Sequence, residues 1–142
     1  MTEDEVRNIR RSFQLISGKE EVVTLLFYKQ LFQKHPPLRS MFPDDMKVQA
    51  TKLADALRVI HRSVDEMDCV RPTLRDLGRK HAQRFGVAEE HYATFCQILI
   101  DTLQETTGTR FDSAMAQAWR SLLGQVSQEM CNGASEKAAN AD

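Results

Sequence analysis

Apolar residues recur at three- and four-residue intervals along almost the whole chain and nowhere alternate in the manner of a strand. Glycine and proline supply the punctuation. Gly18, Gly86, Gly108 and Gly133 each follow a periodic stretch, where a helix end favours a left-handed residue. The prolines, at 36, 37, 43 and 72, all suit helix starts or turns. The first helix begins at Thr2, with Glu5 completing a capping box, and turns Val6, Ile9, Phe13 and Ile16 inward. A second, from about Lys19 to Lys34, is apolar nearly all round (Val22, Val23, Leu25, Leu26, Phe27, Leu31, Phe32), which predicts packing on several sides. Pro36-Pro37 then opens a short turn of helix ending near Phe42. The next helix starts at Asp44-Asp45, whose charges suit a helix N-terminus. Its inner stripe is Met46, Gln49, Leu53, Leu57 and Ile60.

A break at Met67–Val70 precedes a short helix opened by Pro72, with Leu74, Leu77 and His81 on one face. After Gly86 a long helix carries Tyr92, Phe95, Cys96, Leu99 and Leu103. The last helix, capped at Asp112, carries Met115, Trp119, Leu122, Val126 and Met130. From Gly133 onward the residues are small and polar, which predicts a disordered tail. The organisation is therefore one all-α domain of about seven helices over residues 1–132, followed by a polar tail at 133–142.

At 142 residues the chain is long enough for a single domain with one substantial core. Its net charge of −1, from 19 basic and 20 acidic residues, removes any sequence-independent reason for nucleic acid or an anionic membrane as partner. No apolar run reaches the length that spans a bilayer. The acidic start, Met1-Thr-Glu-Asp-Glu, is unlike a secretory signal. Cys69, Cys96 and Cys131 are odd in number and lack zinc spacing, which points to reduced thiols in a cytoplasmic protein, with Cys69 the most exposed.

Two polar residues interrupt otherwise aliphatic stripes: Gln49 on one helix and His81 on another. A buried polar side chain without a partner costs on the order of 1–3 kcal/mol, so a histidine facing a glutamine across an apolar slot asks what lies between them. A planar, metal-centred macrocycle answers that, with the metal on His81. Solvent-facing positions at helix edges are the other arrangement that the spacing allows. His35 beside Pro36, His61 near the far end of the Gln49 helix and His91 at a helix start read as surface side chains.

Several further markers accompany this pair. They are Phe27-Tyr28-Lys-Gln-Leu-Phe32, Pro36 and Phe42 six residues apart, Gln49-Ala-Thr-Lys52-Leu53, Leu77-Gly-Arg-Lys-His81 with its histidine 32 residues after Gln49, and Trp119. As a set, over roughly residues 5–130, they resemble a single-domain bacterial globin, of the group related to the haem domain of flavohaemoglobins with a glutamine in the distal pocket. The Leu77–His81 run is also similar to neuroglobins.

The resemblance implies a globin fold, its D helix short or absent, around haem b (iron protoporphyrin). Phe42, Lys52, Leu53, Leu77, His81 and Val87 are the expected cofactor-binding residues, with His81 the iron ligand and Phe42 against the porphyrin face. Tyr28 and Gln49 are the expected hydrogen-bond partners of dioxygen or another diatomic gas. Lys52 is expected at a haem propionate or the pocket mouth; were the iron capped internally, Lys52, Gln49, Tyr28 or His61 would supply the ligand. Tyr92, eleven residues after His81, matches the family's proximal tyrosine, whereas its glutamate partner has no counterpart in register, Ala134 lying near that count and Glu129 and Glu136 beside it. That departure counts against peroxidase-like or highly efficient dioxygenase chemistry.

The implied function is reversible dioxygen binding, together with oxidation of nitric oxide to nitrate by electrons from an external reductase, since the chain stops where a flavin-reductase domain would begin. Lys80, beside His81, suits the docking of such a donor. The alternative is a haem-based gas sensor or a six-coordinate electron-transfer globin acting through a partner protein.

Overall fold

Thr2 and Glu5 close the first helix reciprocally: the Glu5 N–H donates to Thr2 Oγ1 at 3.1 Å, and the Thr2 N–H donates to the Glu5 carboxylate at 3.0 Å. A computed structural model describes residues 1–140, with side chains described through Glu136. Its α-helices are α1 (Glu3–Leu15), α2 (Glu20–Lys34), α3 (Met46–Arg62), α4 (Met67–Phe85), α5 (Glu89–Thr107) and α6 (Ser113–Asn140). Short 3-10 segments occupy Pro36–Met41 and Gly108–Arg110, and among the described residues there is no strand. Phe42–Asp45 leads straight into α3, with no helix between. No helix is long and apolar enough to cross a membrane.

The core forms where α1, α2, α5 and α6 meet. Ile9, Ile16, Leu31, Leu103, Trp119 and Leu122 are fully enclosed there. The Trp119 indole N–H donates to Ser12 Oγ at 2.8 Å, and that hydroxyl donates to the Ile9 carbonyl at 2.6 Å, so the polar atoms of this dry contact are all paired. Asp45 caps α3 as its charge suggests, accepting from the backbone N–H groups of Lys47 and Val48. The inner face of α3 is built on Ala50, Ala54 and Leu57, with Gln49 and Leu53 half-buried beside them.

Three expectations are corrected. Met67–Val70 is not a break but the first turn of α4; the chain turns instead at Ser63–Glu66, and Pro72 stands inside the helix at the cost of one backbone hydrogen bond. The outer face of α2 is not covered: Val22, Leu25 and Leu26 are exposed while Val23, Thr24, Phe27, Tyr28 and Leu31 are buried. Finally, α6 runs through Gly133 to Asn140 where a disordered tail was expected. Gly133 is buried against the backbone of α4, and that close approach, rather than a turn, is its role. Positions 141–142 of the expected tail lie outside the described residues.

Helix α4 takes its principal contact from α6 and stands apart from α3. The Gln49 and His81 helices are therefore not packed against each other.

Candidate functional site

Tyr28 enters the site from α2 and is 5% exposed. One turn earlier on the same face, the Thr24 hydroxyl donates to the Ala50 carbonyl at 2.8 Å and to the Glu21 carbonyl at 3.1 Å. This bond ties α2 to α3 beside Gln49. The sequence reading missed Thr24; its signal was a hydroxyl placed four residues before Tyr28 in an otherwise apolar stretch. With the helices so fixed, Gln49 Nε2 donates to the Tyr28 hydroxyl at 3.4 Å. Burial raises the Tyr28 pKa, opposed by the Gln49 bond, so the phenol keeps its proton. Its oxygen accepts from Gln49, which leaves its own proton free to donate.

Phe42 closes the corner between the Pro36–Met41 turn and α3. Its ring meets Tyr28 edge-on at 5.4 Å, Phe32 at 5.3 Å and Phe95 at 6.3 Å between centroids. Leu53 is half-buried one turn beyond Gln49, and Lys52 is exposed with no ion pair among the described residues.

On α4, His81 Nδ1 lies 2.9 Å from the Leu77 carbonyl. A carbonyl can only accept, so Nδ1 carries the proton and Nε2 presents its lone pair. Burial holds the His81 pKa below the ordinary histidine value, opposed by the bond to Leu77. The ring is thus neutral, the form that binds a metal. Around it α4 leaves large apolar side chains uncovered, Leu77 at 37% and Phe85 at 52%. The Val87 N–H donates to the His81 carbonyl at 3.2 Å, which fixes the corner after α4. Gly86 makes that corner with a left-handed φ of 67°.

This donor set fits a haem. One imidazole offers a neutral nitrogen, the uncovered Leu77 and Phe85 beside it offer apolar cover, and a buried phenol on α2 offers a hydroxyl donor. Tyr28, Phe42 and Gln49 form one connected group; Leu77, His81 and Val87 form a second, on α4 and the corner after it.

Tyr92 joins neither. No hydrogen bond links it to His81 among the described residues; it lines a cleft between α5 and α6 with Cys96, Ser127 and Cys131. Burial, with the Cys131 thiol beside it, pushes its pKa up to about 12. The glutamates near the family's register are also engaged elsewhere. Glu129 accepts from Arg75 Nε at 2.8 Å, and Glu136 accepts from Arg75 Nη1 at 2.9 Å. His61 is drawn away from the slot as well, its ring stacked on Phe13 of α1 at 4.2 Å. The three cysteines are free thiols, Cys69 exposed and the other two half-buried.

The Globin family profile matches residues 25–130, a span that takes in Tyr28, Phe42, Gln49, His81 and Trp119. The chain belongs to the globin family. Membership implies haem as this globin's cofactor. Among its relatives, a flavohemoprotein of Bacillus subtilis (strain 168) is 26% identical over 121 residues, covering 83% of the globin and 30% of the relative. The globin therefore spans about a third of the length of such flavohemoproteins. It superposes at a TM-score of 0.86 and 26% identity on an engineered carbene transferase built on a Rhodothermus marinus protein described as a nitric oxide dioxygenase, covering 100% of this chain and 99% of that one. A bacterial globin from Campylobacter jejuni shares the fold at a TM-score of 0.85 and 20% identity, covering 97% of this chain and 99% of its own.

Proposed function

We propose that this globin binds haem b through His81 Nε2, holds dioxygen against Tyr28 and Gln49, and oxidises nitric oxide to nitrate in the cytoplasm with electrons from an external reductase. Haem, when bound, supplies an iron that takes diatomic gases and changes oxidation state. The net conversion, nitric oxide plus dioxygen plus one electron to nitrate, balances with a one-electron donor.

The observation that carries the reading is the Gln49-to-Tyr28 hydrogen bond. It ties a buried phenol to the distal glutamine, and the phenol's own proton is the donor that a polar diatomic ligand would take in this reading. Such a donor discriminates by charge: dioxygen draws more negative charge than carbon monoxide and gains more from it. His81, bonded only to a backbone carbonyl, acts as a neutral imidazole rather than a strongly electron-donating ligand. That favours gas binding over cleavage of an oxygen–oxygen bond. The flavohemoprotein relatives and the Rhodothermus marinus neighbour support the nitric oxide reaction.

The test is Tyr28→Phe in the haem-loaded protein. Loss of one hydrogen bond raises the dioxygen dissociation rate on the order of 3- to 10-fold, with carbon monoxide dissociation almost unchanged in the same stopped-flow measurement. Equal changes for both gases would assign Tyr28 to packing. A six-coordinate spectrum of the reduced wild-type protein would overturn the open distal site.

A further inference from the structure

Two glycines bring α4 and α6 into backbone contact. A Cβ on Gly78 would lie 2.0 Å from the Met130 carbonyl oxygen and 2.4 Å from its Cα. One on Gly133 would lie 1.9 Å from the Arg75 carbonyl oxygen and 2.6 Å from its Cα. The contacts are reciprocal: each helix contributes one glycine and one backbone segment, three residues apart. Both glycines stand inside helices, where glycine is a poor choice for helix stability. Their use is the close approach itself.

Ion pairs flank the contact. Arg75 bridges Glu129 at 2.8 Å and Glu136 at 2.9 Å, and Arg71 Nε lies 3.5 Å from Glu129. No other helix offers α4 a comparable support. His81 is one turn beyond Gly78, and the carbonyl that orients its ring belongs to Leu77, the neighbour of Gly78.

We propose that Gly78 and Gly133 are positioning residues for His81: a backbone-to-backbone seat on α6 sets where the imidazole stands in the slot. The inference rests on His81 being the haem ligand. A Cβ at either glycine needs ordinary contact distance, so the helices must separate by about 1.5 Å. The obstructing atoms are backbone and cannot rotate aside. The shift carries the Leu77 carbonyl and His81 along with α4.

The experiment uses the haem-loaded protein and its Gly78→Ala, Gly133→Ala and Gly124→Ala variants. Gly124 lies on the same α6 with no atom within 4 Å of an added Cβ, so its variant is the control. Two readings are taken: the rate of haem transfer to excess apomyoglobin, and the iron–histidine stretching band of the reduced protein. Gly78→Ala and Gly133→Ala are expected to lose haem 10- to 100-fold faster, on the order seen when the groups that orient a metal ligand are removed, and to shift the band. Gly124→Ala keeps wild-type values. Wild-type haem loss and an unmoved band in both seat variants would overturn the proposal.

Hydrogen exchange on the haem-free wild-type protein decides the matter without variants. If α6 seats α4, amides of residues 75–81 stay protected before haem arrives; their free exchange would show that haem, not α6, places the helix. Wild-type protein that takes up no haem would sink the haem reading, while the exchange result still judges the seat.

Discussion

His61 stacks on Phe13 at 4.2 Å and is kept neutral there. Burial is the main cause of its lowered pKa, followed by the positive charges of Arg10 and Arg62, with Glu20 acting against them. The sign of the pH effect follows. In the unfolded chain this histidine takes a proton near its ordinary value of 6.5, whereas in the folded protein it resists until the pH is lower. Below that value the unfolded state therefore binds more protons, and stability declines as pH falls from about 6.5 toward the depressed folded pKa. The urea midpoint is expected to drop between about pH 7 and pH 5, and His61→Phe, which keeps an aromatic ring on Phe13, is expected to flatten that slope. An unchanged slope in the variant would place the acid sensitivity elsewhere. Glu5 and Asp76, both lowered by hydrogen-bonded partners, add their losses only at more acidic pH.

Among the elements, the α2–α3 crossing decides whether the distal pair forms. Thr24 is fully enclosed, and its hydroxyl spans the crossing to the Ala50 carbonyl. Thr24→Val keeps the shape and removes the bond, at a cost of about 1 kcal/mol in urea unfolding, and it loosens the Tyr28–Gln49 contact enough to speed dioxygen release. Dioxygen kinetics identical to wild type in a destabilised variant would show that the distal pair is positioned independently of this bond.

Helix starts were legible in the sequence wherever a side chain closes them, as at Thr2 and Asp45. The start of α4 was not, because Glu66 caps with no side-chain hydrogen bond and Pro72 looks like a first-turn residue although it stands a turn further in. Gly133 misled for a related reason. A glycine after an apolar stripe ends a helix as naturally as it admits a neighbouring backbone, and only the position of α4 separates the two. That Tyr28, Gln49 and Phe42 come together could be anticipated from residue type and spacing, as could the bond from the His81 ring to the Leu77 carbonyl. Where Tyr92, Glu129 and His61 point was settled by long-range packing instead.

On the scale of the molecule, the main core takes in Tyr28 and packs against Phe42 and Leu53, while His81 stands outside it on α4. Ile9, Ile16, Leu103, Trp119 and Leu122 are enclosed between helices that do not carry His81. His81→Ala is accordingly expected to abolish stoichiometric haem binding, read from the visible spectrum, while far-UV circular dichroism retains most of the helical signal. Full haem occupancy in the variant would remove His81 from the ligand role. The two groups of candidate residues also differ in what they depend on. Tyr28 and Gln49 are arranged by α2 and α3, neighbours along the chain, whereas His81 is arranged by α6, which follows α4 only after α5. On the ribosome the distal wall can assemble as soon as α3 has emerged, but α4 must wait, unsupported, until α6 follows it out. Haem capture through His81 is thereby deferred until α6 has emerged, when a single docking event sets where the imidazole stands.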